Sequence, residues 1–229
     1  MIDAHIHVTA ALLPYLTDVR CIPNADSPTE YDFLKSAGFP IISAGIHPWK
    51  ADTTAWEEME PILYEAPIIG EIGLDSEWCN VDMDVQRSVF RAQLELAAQL
   101  HKPVILHTKG MEGEILETIC NYPNRYLVHW YDCDQWLQEY IELGCWFTVG
   151  PDELLNPNVE ALTRTVPLDR LLIESDGLEG IAWGQGKELT AADYSSAMEQ
   201  HLETAAQMRN MSADTLLEQM QRNLKKFIE

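Results

Sequence analysis

The 229 residues are 46% hydrophobic and 23% charged, which fits a globular protein with a buried core and excludes a disordered segment. Acidic residues outnumber basic ones 37 to 15, and a net charge of −22 repels polyanions, so broad, non-specific duplex binding is not expected. Five widely spaced cysteines without a Cys-x-x-Cys pair argue against a zinc knuckle or a disulfide frame and read as reduced thiols.

In chain order, short β-branched apolar runs alternate with longer amphipathic stretches. The runs are "IDAHIHV" (2–8), "DVRCIPN" (18–24), "PIISAGIH" (40–47), "APIIGEIGL" (66–74), "KPVILHT" (102–108), "RYLVHWY" (125–131), "CWFTVG" (145–150) and "RLLIESD" (170–176). The first begins at Ile2, leaving no basic stretch for a signal peptide. No apolar run reaches the roughly 18 residues needed to span a bilayer, so a cytoplasmic protein without a membrane partner is expected. The clearest helix covers 83–101, with Val85, Val89, Leu96 and Leu100 on one side and Asp82 or Asp84 as N-cap. Residues 134–144 end on Gly144, a C-cap signal, and two further helices are expected at about 190–209 and 213–228. No linker, low-complexity segment or repeat divides the chain, so residues 1–229 are expected to form one domain. Eight strands in βα alternation predict an α/β fold of the TIM (β/α)8 barrel type, with an open α/β sheet as the alternative, and in such a barrel chemistry sits at the C-terminal ends of the strands.

Reading those ends in order gives His5 and His7, His47, Glu71, His107, His129 and Asp176. Taken singly, each has a bland explanation. His5 and His7 fit a buried strand as well as half a metal site, Glu71 fits an ion pair, and Asp176 fits a helix cap. Together, nitrogen and carboxylate donors crowded on one rim point to bound cations, because such groups are costly to bury without one. The other two histidines, His101 and His201, fall in helical segments and are left out. There is no Gly-x-Ser-x-Gly elbow, no Walker A loop and no dinucleotide glycine pattern, and Cys133 lacks the basic setting of a nucleophile.

The blocks "DAHIH", "GIHPW", "GEIGLD", "KPVILHTK", "LVHW" and "LLIESD" resemble, in order, the signatures of the TatD-like metal-dependent hydrolases of the amidohydrolase superfamily. The resemblance implies a TIM barrel and divalent-metal hydrolysis, typically of phosphodiester bonds in DNA. It implies that His5, His7 and Asp176 hold one metal, that His107 and His129 hold a second, and that Glu71 bridges the two. His47 would face the substrate. Two divalent ions are therefore expected, with Zn, Mn, Co, Fe or Mg as the choices. Asp176 is the expected acceptor of the water's proton, and His47 a hydrogen-bond donor to a substrate oxygen.

The departures from the family lie at the substrate rim. Ser76-Glu77-Trp78 replaces an aromatic pair, "HWYDCD" follows the sixth strand, and "GLEGIAWGQG" (177–186) replaces a proline-containing loop. Lys109 stands where an arginine is often found. Trp49, Trp78, Trp130 and Trp183 each follow a strand end that carries a site residue, and an aromatic-walled pocket is expected there, with Lys109, Trp49 and Trp130 contacting substrate. A phosphoester is the favoured substrate, with a short DNA end or a nucleotide as its class. A C–N or lactone hydrolase at the same metals, and a metal-holding accessory subunit without turnover, are the alternatives.

Overall fold

Each of the eight apolar runs forms a strand in the computed structural model, which describes residues 1–229. The strands are β1 (Ile2–Ile6), β2 (Arg20–Ala25), β3 (Ser43–Ala44), β4 (Ile68–Asp75), β5 (Val104–Lys109), β6 (Tyr126–Val128), β7 (Trp146–Val149) and β8 (Leu171–Ile173). They pair in parallel in chain order from β1 to β8. The near-continuous apolar runs are what a parallel sheet needs, since side chains on both of its faces are covered.

Between the strands lie α1 (Pro28–Ser36), α2 (Trp56–Glu65), α3 (Met83–Leu100), α4 (Glu112–Ile119), α5 (Leu137–Leu143), α6 (Pro157–Thr165) and α7 (Gly177–Gln185). The chain ends in α8 (Tyr194–Met208) and α9 (Ala213–Ile228). The result is a single-domain α/β barrel of the TIM type. Three strands, β3, β6 and β8, are much shorter than expected, because the chain leaves the ladder at their ends to enter the site, with Trp130 turning at φ 37° after β6. His47 starts a tight turn with Pro48, and Asp176 turns left-handed at φ 56°. The expected loop after Asp176 is instead α7, whose three glycines, Gly177, Gly180 and Gly184, hid the helical pattern.

Asp82 caps α3, its Oδ1 accepting from Asp84 N–H at 2.9 Å. The buried face of α3 runs through Gln86, Phe90, Gln93, Leu94, Leu96 and Ala97; of the expected residues Leu96 is buried, Val89 and Leu100 pack half-buried against the core, and Val85 is exposed. The two glutamines replace missing backbone partners. Gln93 Oε1 accepts from Ile46 N–H at 2.6 Å and its Nε2 donates to Ile46 O at 3.1 Å. Gln86 brackets Asp75 in the same way, at 2.9 and 3.1 Å. One helix thereby fixes the ends of β3 and β4 next to His47 and Asp75, and satisfies buried backbone groups that a barrel rim leaves open. Gly73 lets β4 approach β5, since a Cβ there would stand 1.9 Å from His107 O.

The seam between β8 and β1 is closed by polar contacts. Asp176 N–H donates to His5 O at 3.2 Å. The buried Asp3 carboxylate accepts from Ser175 N–H at 3.0 Å, Ser175 Oγ at 2.5 Å and Tyr194 OH at 2.6 Å. Burial pushes Asp3 up to about 6, against these three donors. Tyr194→Phe should therefore cost about 1.5–3 kcal/mol, the range for a hydrogen bond to a charged group. The effect would be read as a lower urea midpoint at unchanged slope. An unchanged midpoint would show that the seam does not rest on Asp3.

Candidate metal centre

Glu71, 2% exposed, lies at the centre of the site and divides the donors between its two oxygens. On the Oε2 side, His5 Nε2 is at 3.3 Å and His7 Nε2 at 3.6 Å. Asp176 Oδ1 completes that group, 3.4 Å from His5 Nε2 and 3.5 Å from His7 Nε2. On the Oε1 side, His107 Nδ1 and His129 Nε2 are both at 2.6 Å and His47 Nε2 is at 3.4 Å. All seven rim residues read from the strand ends thus converge. The pairing register shifts between Asp3 and Ile6 and between Ile69 and Ile72, so that a break in the ladder falls on His5 and another on Glu71. Such breaks re-aim side chains.

The chemistry of this set fits cations. Buried atoms without any hydrogen-bond partner include His5 Nε2 and Asp176 Oδ1, which face each other. Potential ligand atoms lie within 4.8 Å of one another in three groups: His5, His7 and Asp176; His5, Glu71 and His129; His47, Glu71 and His107. Burial opposes the charge on His5, yet Glu71 and Asp176 carry its pKa up to about 9. Burial likewise opposes His129, which Glu71 and Glu174 hold well above the usual imidazole range. For Glu71 burial pulls upward, and the surrounding imidazoles hold it well below the usual carboxylate range. Lone pairs of imidazole and carboxylate at these distances repel unless a proton or a metal ion stands between them.

Two carboxylates that sequence reasoning did not single out orient the imidazoles. Asp75 Oδ2 is 3.0 Å from His107 Nε2, which places a proton there and leaves Nδ1 facing Glu71 across a gap that a proton or a cation must fill. Glu174, fully buried, stands 3.4 Å from His129 Nδ1 on the ring's far side with no hydrogen bond between them, so it acts on that imidazole through its charge. Such partners set the tautomer and basicity of a ligating His. A signal was present in both cases: Asp75 ends the "GEIGLD" block, and Glu174 sits two residues before Asp176.

His47 differs from its neighbours. Its Nδ1 accepts from Trp49 N–H at 3.2 Å, so in the neutral ring the proton must sit on Nε2. Burial pushes its pKa down and keeps it neutral. His47 therefore presents an N–H donor to the Oε1 side, within 3.3 Å of His107 Nδ1.

Two adjoining cavities of about 270 and 500 Å³ open over the cluster, sharing Trp49, His107, His129, Asp176, Glu179 and Gly180. The smaller one is lined by all four singled-out tryptophans and by Lys109, whose Nζ is 2.8 Å from Asp132 Oδ1. Trp49, Trp78 and Trp183 are 51–61% exposed. Trp130 departs from the expectation of an open wall: it is 6% exposed, its Nε1 donates to Asp152 Oδ1 at 2.8 Å, and it packs beneath Trp183. Outside the site, His201 is a buried partner of Glu153, and His101 ends α3 in a left-handed turn. No helix is long and apolar enough to cross a membrane.

Comparison with known proteins agrees with this architecture. The family model described as TatD related DNase matches residues 7–229. A Citrobacter rodentium protein named 3'-5' ssDNA/RNA exonuclease TatD is 30% identical over 146 residues, 58% of this chain and 56% of that protein. An uncharacterized metal-dependent hydrolase of Bacillus subtilis, YabD, is 27% identical over 158 residues, 64% of this chain and 60% of that protein. The matched stretch thus spans less than two thirds of these relatives' length. The crystal structure of YjjV, a TatD homologue from Escherichia coli K12, superposes with a TM-score of 0.82 at 20% identity, covering 99% of this chain and 97% of the other. At that identity the likeness speaks for the fold.

A divalent cation entering the cluster must displace the protons that the carboxylates hold on the imidazoles. Its affinity should therefore rise as pH climbs from 6.5 toward about 9, with proton release visible as buffer-dependent heat in calorimetry. For the cation-free protein, the raised pKa of His5 contributes stability that is fully present below pH 6.5 and lost as pH rises through about 9. Affinity and stability that stay level across this window would contradict the assignment of protons within the cluster.

Proposed function

This chain belongs to the TatD related DNase family, and we propose that it is a divalent-metal-dependent hydrolase of phosphoester bonds. The observation that carries the proposal is the division of one buried carboxylate, Glu71, between two donor groups. His5, His7 and Asp176 would hold one cation with Glu71 Oε2, and His107 and His129 a second with Glu71 Oε1. Mixed imidazole and carboxylate donors suit Zn, Mn, Co or Fe better than Mg. Divalent cations bound there would supply Lewis acidity toward the phosphoryl oxygens and a lowered pKa for water.

The remaining work falls to the chain's own groups. Asp176 sits between both cavities and is kept ionised, since His5 and His7 outweigh the effect of its burial. Its carboxylate is placed to take a proton from the attacking water. His47 Nε2–H points inward and would donate to a substrate oxygen, stabilising the charge that develops there. Asp75 acts through His107, fixing its tautomer by a hydrogen bond, and the charge of Glu174 raises the basicity of His129. The one lysine at the smaller cavity, Lys109, is paired with Asp132, so little positive charge of the protein itself faces the substrate. That balance, with the net charge of −22, favours a small ester or a single-stranded end over a duplex.

Metal analysis and a substrate panel test this together. The wild type should carry nearly two equivalents of a transition metal and cleave phosphodiesters or phosphomonoesters, leaving amides and lactones intact. Glu71→Gln should lose metal from both positions. Asp176→Asn should lower kcat by about 10²–10⁴-fold with less metal loss. His47→Ala should lower kcat by roughly 10²–10³-fold at full metal content. Turnover of amides or lactones alone would replace the phosphoester assignment. A metal-loaded protein with no turnover and a co-purifying partner would make it an accessory subunit.

A further inference from the structure

The smaller cavity has an unusual lining for a phosphoester site. Away from the cluster residues His107, His129 and Asp176, its walls carry Asp75, Asp132, Glu179 and Gly180, its one lysine is already paired, and the other four residues are tryptophans. A phosphate gains nothing from these walls. A planar ring does. Trp78 and Trp183 meet edge to face, with ring centres 6.0 Å apart at 85°, which forms a corner with two aromatic faces at right angles. Trp183 rests on the buried Trp130, with ring centres 5.5 Å apart, and Trp130 is tied to Asp152. Trp49, across the cavity, is fixed by its Nε1–H bond of 2.6 Å to Asp75, the same carboxylate that orients His107.

These indoles are therefore exposed but braced, so binding a ring costs little ordering. Glycines in α7 account for the placement of Trp183. A Cβ at Gly180 would stand 2.7 Å from Ser175 O, and one at Gly184 2.8 Å from the Pro151 ring, so only glycines let the helix lie this low on the rim. About 270 Å³ is the size of a single-residue ligand rather than of a helix.

We infer that the corner formed by Trp78 and Trp183, faced by Trp49, binds one nucleobase of the substrate by stacking, with its phosphoryl group directed at the Glu71 cluster. The substrate class is accordingly a nucleotide or a terminal nucleotide, selected by its base. The inference rests on the phosphoester reading, but its test does not depend on turnover. Wild-type protein is titrated with thymidine 5′-monophosphate, adenosine 5′-monophosphate, deoxyribose 5-phosphate and phosphocholine, following tryptophan quenching and calorimetric heat.

Both nucleotides should bind more tightly than deoxyribose 5-phosphate, by about 5- to 150-fold, the range for one stacked base. Trp183→Ala and Trp78→Ala should remove most of that difference while leaving deoxyribose 5-phosphate affinity unchanged. Trp183→Phe should restore part of it. Trp136→Ala, at an exposed tryptophan outside this cavity, should change nothing. Equal affinity for nucleotides and deoxyribose 5-phosphate would overturn the inference. So would tighter binding of phosphocholine, which would make the corner a cage for a quaternary ammonium. If the base-dependent difference appears but no phosphoester is cleaved, the base site stands and the proposed reaction fails.

Discussion

Everything at the top of this barrel is arranged around one buried carboxylate, Glu71, that has to remain ionised out of water. An isolated carboxylate would take up a proton in such a place. Here imidazoles from β1, β5 and the segments after β1, β3 and β6 approach both of its oxygens, and Asp176 adds a second negative charge from the segment after β8. The charges nearly balance only with protons or metal ions among them. The same crowding that makes the cluster expensive without cations makes it a strong ligand set with them.

Such a cluster needs a rigid frame, and the frame is polar as well as apolar. Gln86 and Gln93 of α3 occupy core positions and hold the backbone of Asp75 and Ile46, one residue from His47. Asp75 in turn joins His107 to Trp49, so one carboxylate connects the proposed metal ligands to the proposed ring-binding wall. Asp3, Ser175 and Tyr194 close the seam beside His5 and Asp176. Apart from the half-exposed Trp49 contact these bonds are buried and satisfy groups that would otherwise be orphaned, so the geometry is over-determined before any ligand arrives.

The rhythm of strands and the seven rim residues were legible in the sequence, because buried parallel strands must be apolar and an imidazole or carboxylate at their ends stands out. What escaped has physical reasons. Hydrophobic periodicity cannot find Gln86 and Gln93, which are buried for their hydrogen bonds. It cannot find α7, whose glycines serve close packing against Ser175 and Pro151. It assigned α3 a face that includes Val85, which is exposed. The protonation of His47 depends on a turn in which its own Nδ1 accepts from Trp49 N–H, a bond that no residue pattern encodes. Trp130 reads like its three exposed counterparts in sequence and is buried because Asp152 takes its N–H.

The two-sided use of Glu71 is the central claim, and anomalous diffraction from crystals grown with Mn²⁺ tests it most directly. Two manganese peaks are expected, one among His5, His7 and Asp176 and one beside His107 and His129, with the Glu71 carboxylate between them. A single peak, or peaks away from Glu71, would contradict it.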